Sequence, residues 1–581
     1  MAIEWMDWGE EAFRKAREEG KLVLLFIEMP WSRWCKFMES TTYSDPDVQE
    51  IVNREYIPVK VNGERRSDID DRYNQGGWPT NALLFHSGEI LTGTTYLDPD
   101  EMKELLVQVA DYCKENRVEV ASRVIEFWQE VQRRREGMRI PTVRKEVDWE
   151  GIINDVISSI ISEYDPLNGG IRGDVKIPMP WMIQLAMWEA RDEDIAAIAL
   201  HTMERMAEGG LYDKEEGGFF RYSTSQDWGS PSCEKLLSTN AELLEVYTNS
   251  YLLWGMDSHK DVAEGIIRYL NTFLWDEELG AFYGSQEDDR DFYKLKGPER
   301  RMARRPEVDK TIYVSANAIA ARSYLRASVP FDIPTCVEQA MDVLEFLITE
   351  CYEPGIGMAH YYDGIPHYLG LLDDQATTIL ALLEALDMFG EKEGIVEIAK
   401  GIGDFILEKL YDPVTGGFFD IPESPDAIGL LKIPEKDLVS SSLASIALLK
   451  LGWATEDERY VNASRRSLEF LSDKVEPYGS HASIYAVAAK MLLRGPTRIA
   501  IVGDPTDEGF VRMFLVSTYL FEPTKVVRIF ELSEGEETMW GGMRLVGHSS
   551  PASYISTSGG QAGPLFEVEE LVNAVDELIG L

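Results

Sequence analysis

Cys35 stands where a helix begins, directly after the strand-like run Lys21–Glu28. A thiol in the first turn of a helix faces the positive end of the backbone dipole, which favours thiolate over thiol. A dithiol site would place a second cysteine three residues earlier, but the run is Ser32-Arg33-Trp34-Cys35, so no disulfide closes there. Trp78-Pro79 precedes another strand pattern and supplies a proline suited to a cis bond facing that turn. Ser32, Trp34, Cys35 and Pro79 thus form one candidate site, with monothiol chemistry at Cys35 as its activity. The same residues also read structurally, with Ser32 as an N-cap and Cys35 as a partly buried, inert helix cysteine.

A second set of residues is acidic. Glu234, Asp288, Asp289, Asp373 and Asp374 fall at loop or helix-start positions, and His360, His367 and His481 fall on or near loops. Two carboxyl groups flanking a glycosidic bond are the equipment of a hydrolase. Bases that move a proton next to a carbonyl, often histidines, are the equipment of an isomerase or epimerase. Glu234, Asp288, His360, Asp373 and Asp374 are the candidate catalytic residues. Asp213, Phe219, Arg221, Tyr222, Lys235, Asn240 and Phe282 are the candidate pocket residues around them. Structural readings compete here too: Asp373-Asp374 as helix-start acids, and Glu234-Lys235 as an ion pair.

The elements that position these residues fall into three groups. A helix at 8–20, a strand at 21–28, the Cys35 helix, strands at 56–61, 81–85 and 90–96, and a helix at 101–112 follow the order of a thioredoxin fold. From 148 to 495 the apolar residues recur at helical spacing. A turn motif returns there at Tyr164–Gly170, Tyr212–Phe220, Trp275–Tyr283, Tyr352–Gly357 and Tyr411–Phe419, with a degenerate sixth copy at Val475–His481. Six copies at intervals of roughly 50–80 residues mean six helical hairpins. Closed on themselves, they make an (α/α)6 toroid, whose central pit is the natural ligand site. In such a ring Glu234, Asp288, His360 and Asp373 should converge on one mouth. Aspartate, glycine and aromatic residues in each turn also have a purely structural use. The last stretch reads as a small α/β unit, with strands at 497–503, 525–530 and 553–556 and helices at 510–520 and 568–579. The expected domains are therefore 1–118 thioredoxin-like, 119–147 a helical linker, 148–495 the toroid and 496–581 the α/β unit.

Glu10 to Tyr96 resembles the thioredoxin domain of the spermatogenesis-associated protein 20 / YyaL family, also called DUF255. The family's Cys-His-Trp-Cys-His-Val-Met is met by Ser32-Arg33-Trp34-Cys35-Lys36-Phe37-Met38, and its Gly-Gly-Trp-Pro by Gly76–Pro79. Its Pro-His-Phe-Glu-Lys-Met-Leu is met by Pro231-Ser232-Cys233-Glu234-Lys235-Leu236-Leu237, and its Phe-Leu-Asp-Asp-Tyr-Ala by Leu371-Leu372-Asp373-Asp374-Gln375-Ala376. The first cysteine of the pair and both histidines beside it are absent. So are the family's two C-terminal cysteines, where Ser556 and Gly560 stand. The chain therefore resembles a divergent member without dithiol chemistry. Toroids of this kind resemble sugar-active enzymes, which implies a sugar-like ligand in the pit and isomerase or epimerase chemistry ahead of hydrolysis.

Composition narrows the partners. The net charge of −44, from 101 acids against 57 bases, repels nucleic-acid phosphates and anionic membranes. The five cysteines, Cys35, Cys113, Cys233, Cys336 and Cys351, make no Cys-x-x-Cys pair, so neither a disulfide framework nor a zinc knuckle is expected. No cofactor or metal is implied. The charged N-terminus and strand-length apolar runs read as those of a cytoplasmic chain. Three activities stay open: a sugar-binding or sugar-active toroid, a non-catalytic scaffold that binds a protein partner, and a monothiol redox protein using Cys35.

Overall fold

A computed structural model of the chain describes residues 2–138, 146–390 and 394–579. The chain divides into two units. The first holds the described residues of 1–143 together with two distant segments, Gln286–Asp309 and Asp420–Glu435. Its core is a four-stranded sheet in the order Tyr56–Asn62, Leu22–Glu28, Thr80–Leu84, Ile90–Thr94. The first pair is parallel and the others antiparallel. Leu22–Ile27 is buried throughout, as expected of a central strand covered on both faces. Leu24, Phe26 and Leu83 pack with Cys35, Met38, Val48, Val52, Met102 and Leu106 from helices Arg33–Ser40, Pro46–Glu55 and Pro99–Glu115. Asp45 starts Pro46–Glu55 by accepting the N–H groups of Asp47 and Val48, with Pro46 in the first turn. Asp98 and Glu101 form a capping box at Pro99–Glu115. This unit is a thioredoxin-like domain.

The second unit is an (α/α)6 toroid with an α/β unit at its end. Among the described residues, twelve principal helices form two rings. The inner six are Pro180–Trp188, Leu237–Trp254, Val314–Ser328, Leu372–Phe389, Leu438–Thr455 and Ser483–Arg494. Each packs on the next, and Ser483–Arg494 packs back on Pro180–Trp188, closing the ring. The outer six are Trp149–Glu163, Glu193–Glu208, Asp257–Phe273, Pro334–Glu350, Ile395–Phe405 and Glu458–Leu471. The inner helices are apolar on most sides and buried, whereas the outer ones present one apolar face. Leu438–Thr455, the one described helix long and apolar enough to cross a membrane by length and composition, is an inner helix with 72% of its window buried.

The recurring turns are built alike. Asp165, Asp213, Asp276 and Asp412 each accept N–H groups two or three residues onward. Three of the turns are stapled by a lysine that joins the aspartate to a glycine carbonyl. Lys176 binds Asp165 at 3.0 Å and Gly169 at 2.7 Å. Lys235 binds Asp213 at 2.7 Å and Gly217 at 2.8 Å, and Lys436 binds Asp412 at 2.6 Å and Gly416 at 2.7 Å. A glycine is required at 217, where φ is +82° and a Cβ would lie 2.1 Å from the Gly265 carbonyl oxygen. Then an amide at the fourth residue of the following inner helix clamps the turn. Asn240 accepts the Phe219 N–H at 2.7 Å and donates to its C=O at 3.0 Å. Asn317 does the same for Phe282, and Gln375 for Met358.

At the end of the chain, strands run in the order Lys525–Phe530, Thr497–Val502, Ala552–Thr557, Gly560–Leu565. Helices Glu508–Tyr519 and Val568–Ile579 accompany them. Gly560–Leu565 is a strand that the sequence pattern does not announce, because glycine and proline dilute it; as an edge strand it tolerates Pro564.

Asn240→Ala leaves two buried backbone groups of Phe219 unpaired and should destabilise the chain by about 2–5 kcal/mol in urea unfolding. A loss below about 1 kcal/mol would show that the clamp is dispensable.

Candidate functional site

At the first candidate site, strand Leu22–Glu28 delivers the turn that starts helix Arg33–Ser40. Ser32 caps the helix, its Oγ accepting the Cys35 N–H at 3.4 Å. Trp78–Pro79 is cis, and the Trp31 and Trp78 rings meet edge to face at 5.8 Å. Cys35 is 0% exposed, and the Met29 N–H points at its sulfur from 3.5 Å. Burial pushes the thiol up to about 11, against the opposing hydrogen bond from Ser32. The thiolate suggested by the first-turn position is therefore not favoured, because desolvation outweighs the dipole. Trp34 faces outward, 55% exposed, in contact with the rings of Phe37 and Tyr96. Asp288 lies in this unit, its N–H donating to the Trp31 carbonyl at 3.3 Å.

The second candidate site lies where the inner helices of the ring begin. His360 ends a turn and precedes the short strand Tyr361–Tyr362, which pairs with Ile312–Tyr313. Its Nδ1 is 2.9 Å from Asp374 Oδ2, and Asp374 Oδ1 accepts the Ser315 N–H at 3.0 Å. Asp374 is 1% exposed, so this carboxyl joins two neighbouring inner helices and the His360 turn from a buried position. Burial raises its proton affinity, while His360 opposes that rise. Neither Asp373 nor Asp374 is the N-cap of its helix, which is Leu371. Asp373 is accessible to solvent, although protein crowds its carboxyl. Burial and the nearby charge of Asp437 push it up to about 7, with a Ser440 hydrogen bond acting the other way. Asp437 caps the adjacent helix Leu438–Thr455 by accepting the Ser440 N–H at 2.8 Å.

Glu234 is buried. Arg221 Nε donates to it at 2.6 Å and Ser232 Oγ at 2.7 Å. The Arg221 guanidinium lies over the Tyr222 ring at 4.6 Å. The remaining pocket candidates are interior scaffolding instead. Asp213 and Lys235 are the buried staple, and Asn240 is the clamp. Phe219 packs on Tyr247 and Phe282 on Tyr324, both fully buried. They were expected beside a ligand because they sit in the turns. They lie inside because each turn folds back over its aromatic residue to satisfy its own backbone.

Further polar residues, outside both candidate sets, lie inside the ring. Trp181, Gln184, Glu242, Arg322 and Thr377, on four of the inner helices, line a cavity of about 40 Å³. Burial and the neighbouring Glu245 push Glu242 up to about 7. Farther along, Glu384, Lys450 and Lys525 line a cavity of about 60 Å³, walled in part by Phe521–Pro523 of the α/β unit. Each is of a size for a few water molecules. The signal for these residues was available, namely acids and bases at positions 242, 245, 322, 384 and 450 within otherwise apolar helices. Among the described residues, no group of three or more histidine, cysteine or acidic side chains is arranged to hold a metal ion.

The burial of Cys35 sets a direct test. In native protein at pH 8, a thiol-labelling reagent should modify the partly exposed Cys113 first and leave Cys35 unlabelled until unfolding, and insulin reduction should be absent. Rapid native labelling of Cys35 would overturn this account of the thiol.

Residues 1–132 match a family model described as a protein of unknown function, DUF255, of thioredoxin type. Spermatogenesis-associated protein 20 of Mus musculus is 30% identical over 324 residues, covering 52% of this chain and 40% of that protein. Cellobiose 2-epimerase of Bacteroides fragilis is 33% identical over 104 residues, 18% of this chain and 25% of that enzyme. The match thus spans less than half the length of either relative. Among solved structures, cellobiose 2-epimerase from Bacillus thermoamylovorans is similar with a TM-score of 0.47 and 12% identity, covering 59% of this chain and 100% of that one. Residues 1–132, a thioredoxin-like domain that keeps the Gly76–Pro79 turn, thus match the DUF255 family model, and the chain is similar to spermatogenesis-associated protein 20 over about half of its length, with Ser32 three residues before Cys35.

Proposed function

We propose that the ring binds a sugar-like polyol at the start of its inner helices and moves a proton on it, as isomerases and epimerases do. The observation that carries this reading is the His360–Asp374 pair with Asp373 beside it. Asp374 is held by the Ser315 N–H and accepts the Nδ1 proton of His360, which makes Nε2 the basic nitrogen. Asp373, near half-protonated at neutral pH, is suited to donate and recover a proton. In the proposed step, His360 Nε2 takes the proton from the carbon next to a sugar carbonyl. The C–H electron pair becomes a C–C double bond, and the carbonyl oxygen takes the proton of Asp373. If the enediol turns over in the site, His360 returns the proton to the opposite face of the same carbon while the oxygen gives its proton back to Asp373, giving an epimer; if His360 instead protonates the former carbonyl carbon while the neighbouring hydroxyl gives its proton to Asp373, the product is an isomer. Arg221, held by Glu234, is proposed to bind ligand hydroxyls. The similarity of part of the chain to a cellobiose 2-epimerase agrees with this chemistry class.

The test is deuterium incorporation next to the carbonyl, followed by proton NMR with a panel of aldoses and ketoses in heavy water. Exchange is expected with the parent and should fall about 10²–10⁴-fold in His360→Gln. Sugar-induced thermal stabilisation should survive that change. Absence of both exchange and stabilisation across the panel would overturn the reading.

The acid group gives a separate expectation. Asp373 rises from 3.8 to about 7 in the folded chain, so the folded state keeps this proton to higher pH than the unfolded state does. Stability linked to this group is therefore lost as pH rises from about 4 to about 7, then levels off. Asp373→Asn removes that loss. Its stabilising effect should grow over the same window and plateau above it, read as the difference in unfolding midpoint between the two proteins. A pH-independent difference would show an ordinary carboxylate.

A further inference from the structure

We propose that the thioredoxin-like domain is a non-redox anchor for two loops of the chain's middle, with Lys36, Arg72 and Tyr73 as the residues that hold them. Both loops, Gln286–Asp309 and Asp420–Glu435, belong to the same unit as that domain. The first sits on the turn that carries Cys35. Asp288 N–H donates to the Trp31 carbonyl at 3.3 Å, and Lys36 pairs with Glu287. The loop is braced internally. Glu287 N–H donates to the Glu307 carbonyl at 3.0 Å, the Tyr293 hydroxyl donates to Gln286 at 2.8 Å, and buried Arg300 lies over the Phe292 and Tyr293 rings. The turn that would present a thiol to a partner thus holds a segment of its own chain.

The second loop is closed at its base, where Asp420 N–H donates to the Glu435 carbonyl and Glu435 N–H to Asp420 Oδ1, at 2.8 and 2.7 Å. The Arg72 guanidinium, its side chain 1% exposed, spans both oxygens of Asp420 at 2.8 and 3.1 Å and also reaches the Ile433 carbonyl at 3.0 Å. The Tyr73 hydroxyl accepts the Leu430 N–H at 2.8 Å and donates to the Gly88 carbonyl at 2.7 Å. Gly88 and Gly429 approach so closely that a Cβ on Gly88 would lie 2.6 Å from the Gly429 Cα. A buried two-pronged arginine, a doubly used tyrosine hydroxyl and two backbones in contact make a specific seat rather than a chance touch.

The seat has a consequence along the chain. Beyond Asp309, four residues lead to the helix whose Ser315 holds Asp374; beyond Glu435, one residue leads to Asp437, whose charge acts on Asp373. Lys36 and Arg72 are therefore positioning residues for the two acids, a step that rests on the reading of those acids as a site.

The experiment is hydrogen–deuterium exchange on the full chain, comparing the parent with Arg72→Lys, Arg72→Ala and Lys36→Glu. Peptides within 420–435 should lose protection by tenfold or more in Arg72→Ala and by less in Arg72→Lys. Peptides within 287–307 should do so in Lys36→Glu, with Leu22–Glu28 unchanged in every variant. Unchanged loop protection in Arg72→Lys and Lys36→Glu overturns the anchor. The second readout is the pH midpoint of the stability difference that Asp373→Asn produces, measured in each anchor variant. The charges of Asp437, Asp374 and His360 act on Asp373, and movement of Asp437 should shift the midpoint by roughly half a unit or more. A loosened loop with an unmoved midpoint keeps the anchor and overturns the positioning role. Neither readout uses a sugar, so failure of the sugar reading stays separate.

Discussion

The ring depends on satisfying the backbone of its turns. Each hairpin turn carries amides and carbonyls into a crowded interior where water cannot serve them, and an unpaired buried group costs as much as a good contact provides. The described turns meet this demand with polar side chains in different combinations: an aspartate inside four of them, a lysine across three and an amide one turn into the next helix at three, with all three together at Asp213, Lys235 and Asn240. Once these are paired, the aromatic residue of the turn is drawn inward and the inner helix starts at a defined height. The height matters because Asp373, Asp374, Ser315 and Asp437 all lie within the first turns of those helices, or at their caps. The candidate chemistry is set by the same register that makes the turns stable.

Much of this architecture was legible in the sequence. The turns announced the ring because glycine and aromatic residues recur six times with helices between them, with an aspartate in four copies and paired glycines in three, and Trp78-Pro79 announced the cis turn. The His360–Asp374 pair was half legible, in that both residues stood at loop or helix-start positions. Their meeting depends on how neighbouring hairpins pack, and spacing along one chain does not carry that information. Phe219, Phe282, Asn240, Asp213 and Lys235 show the opposite limit. Their types suit a ligand site, yet each is used up inside its own turn. Glu242 and Arg322 were overlooked because a charge within an apolar helix resembles a solvated position until the helix is known to be inner.

The thioredoxin-like domain has the geometry of its fold around a single enclosed thiol. The cap at Ser32, the cis bond and the packed cysteine remain, but the sulfur is enclosed and the second thiol is missing. Burial of Cys35 serves the core with Leu24, Phe26 and Met38. A serine at 35 would place a hydroxyl in that core, whereas Ser32 caps the helix from its end.

The segment Phe521–Lys525 lines the cavity deep among the inner helices, and Lys525 is fully buried there beside Glu384 and Lys450. The α/β unit thus supplies part of the wall of the ring's interior, so a substitution at Lys525 acts on Glu384 and Lys450 of two inner helices as well as on its own sheet.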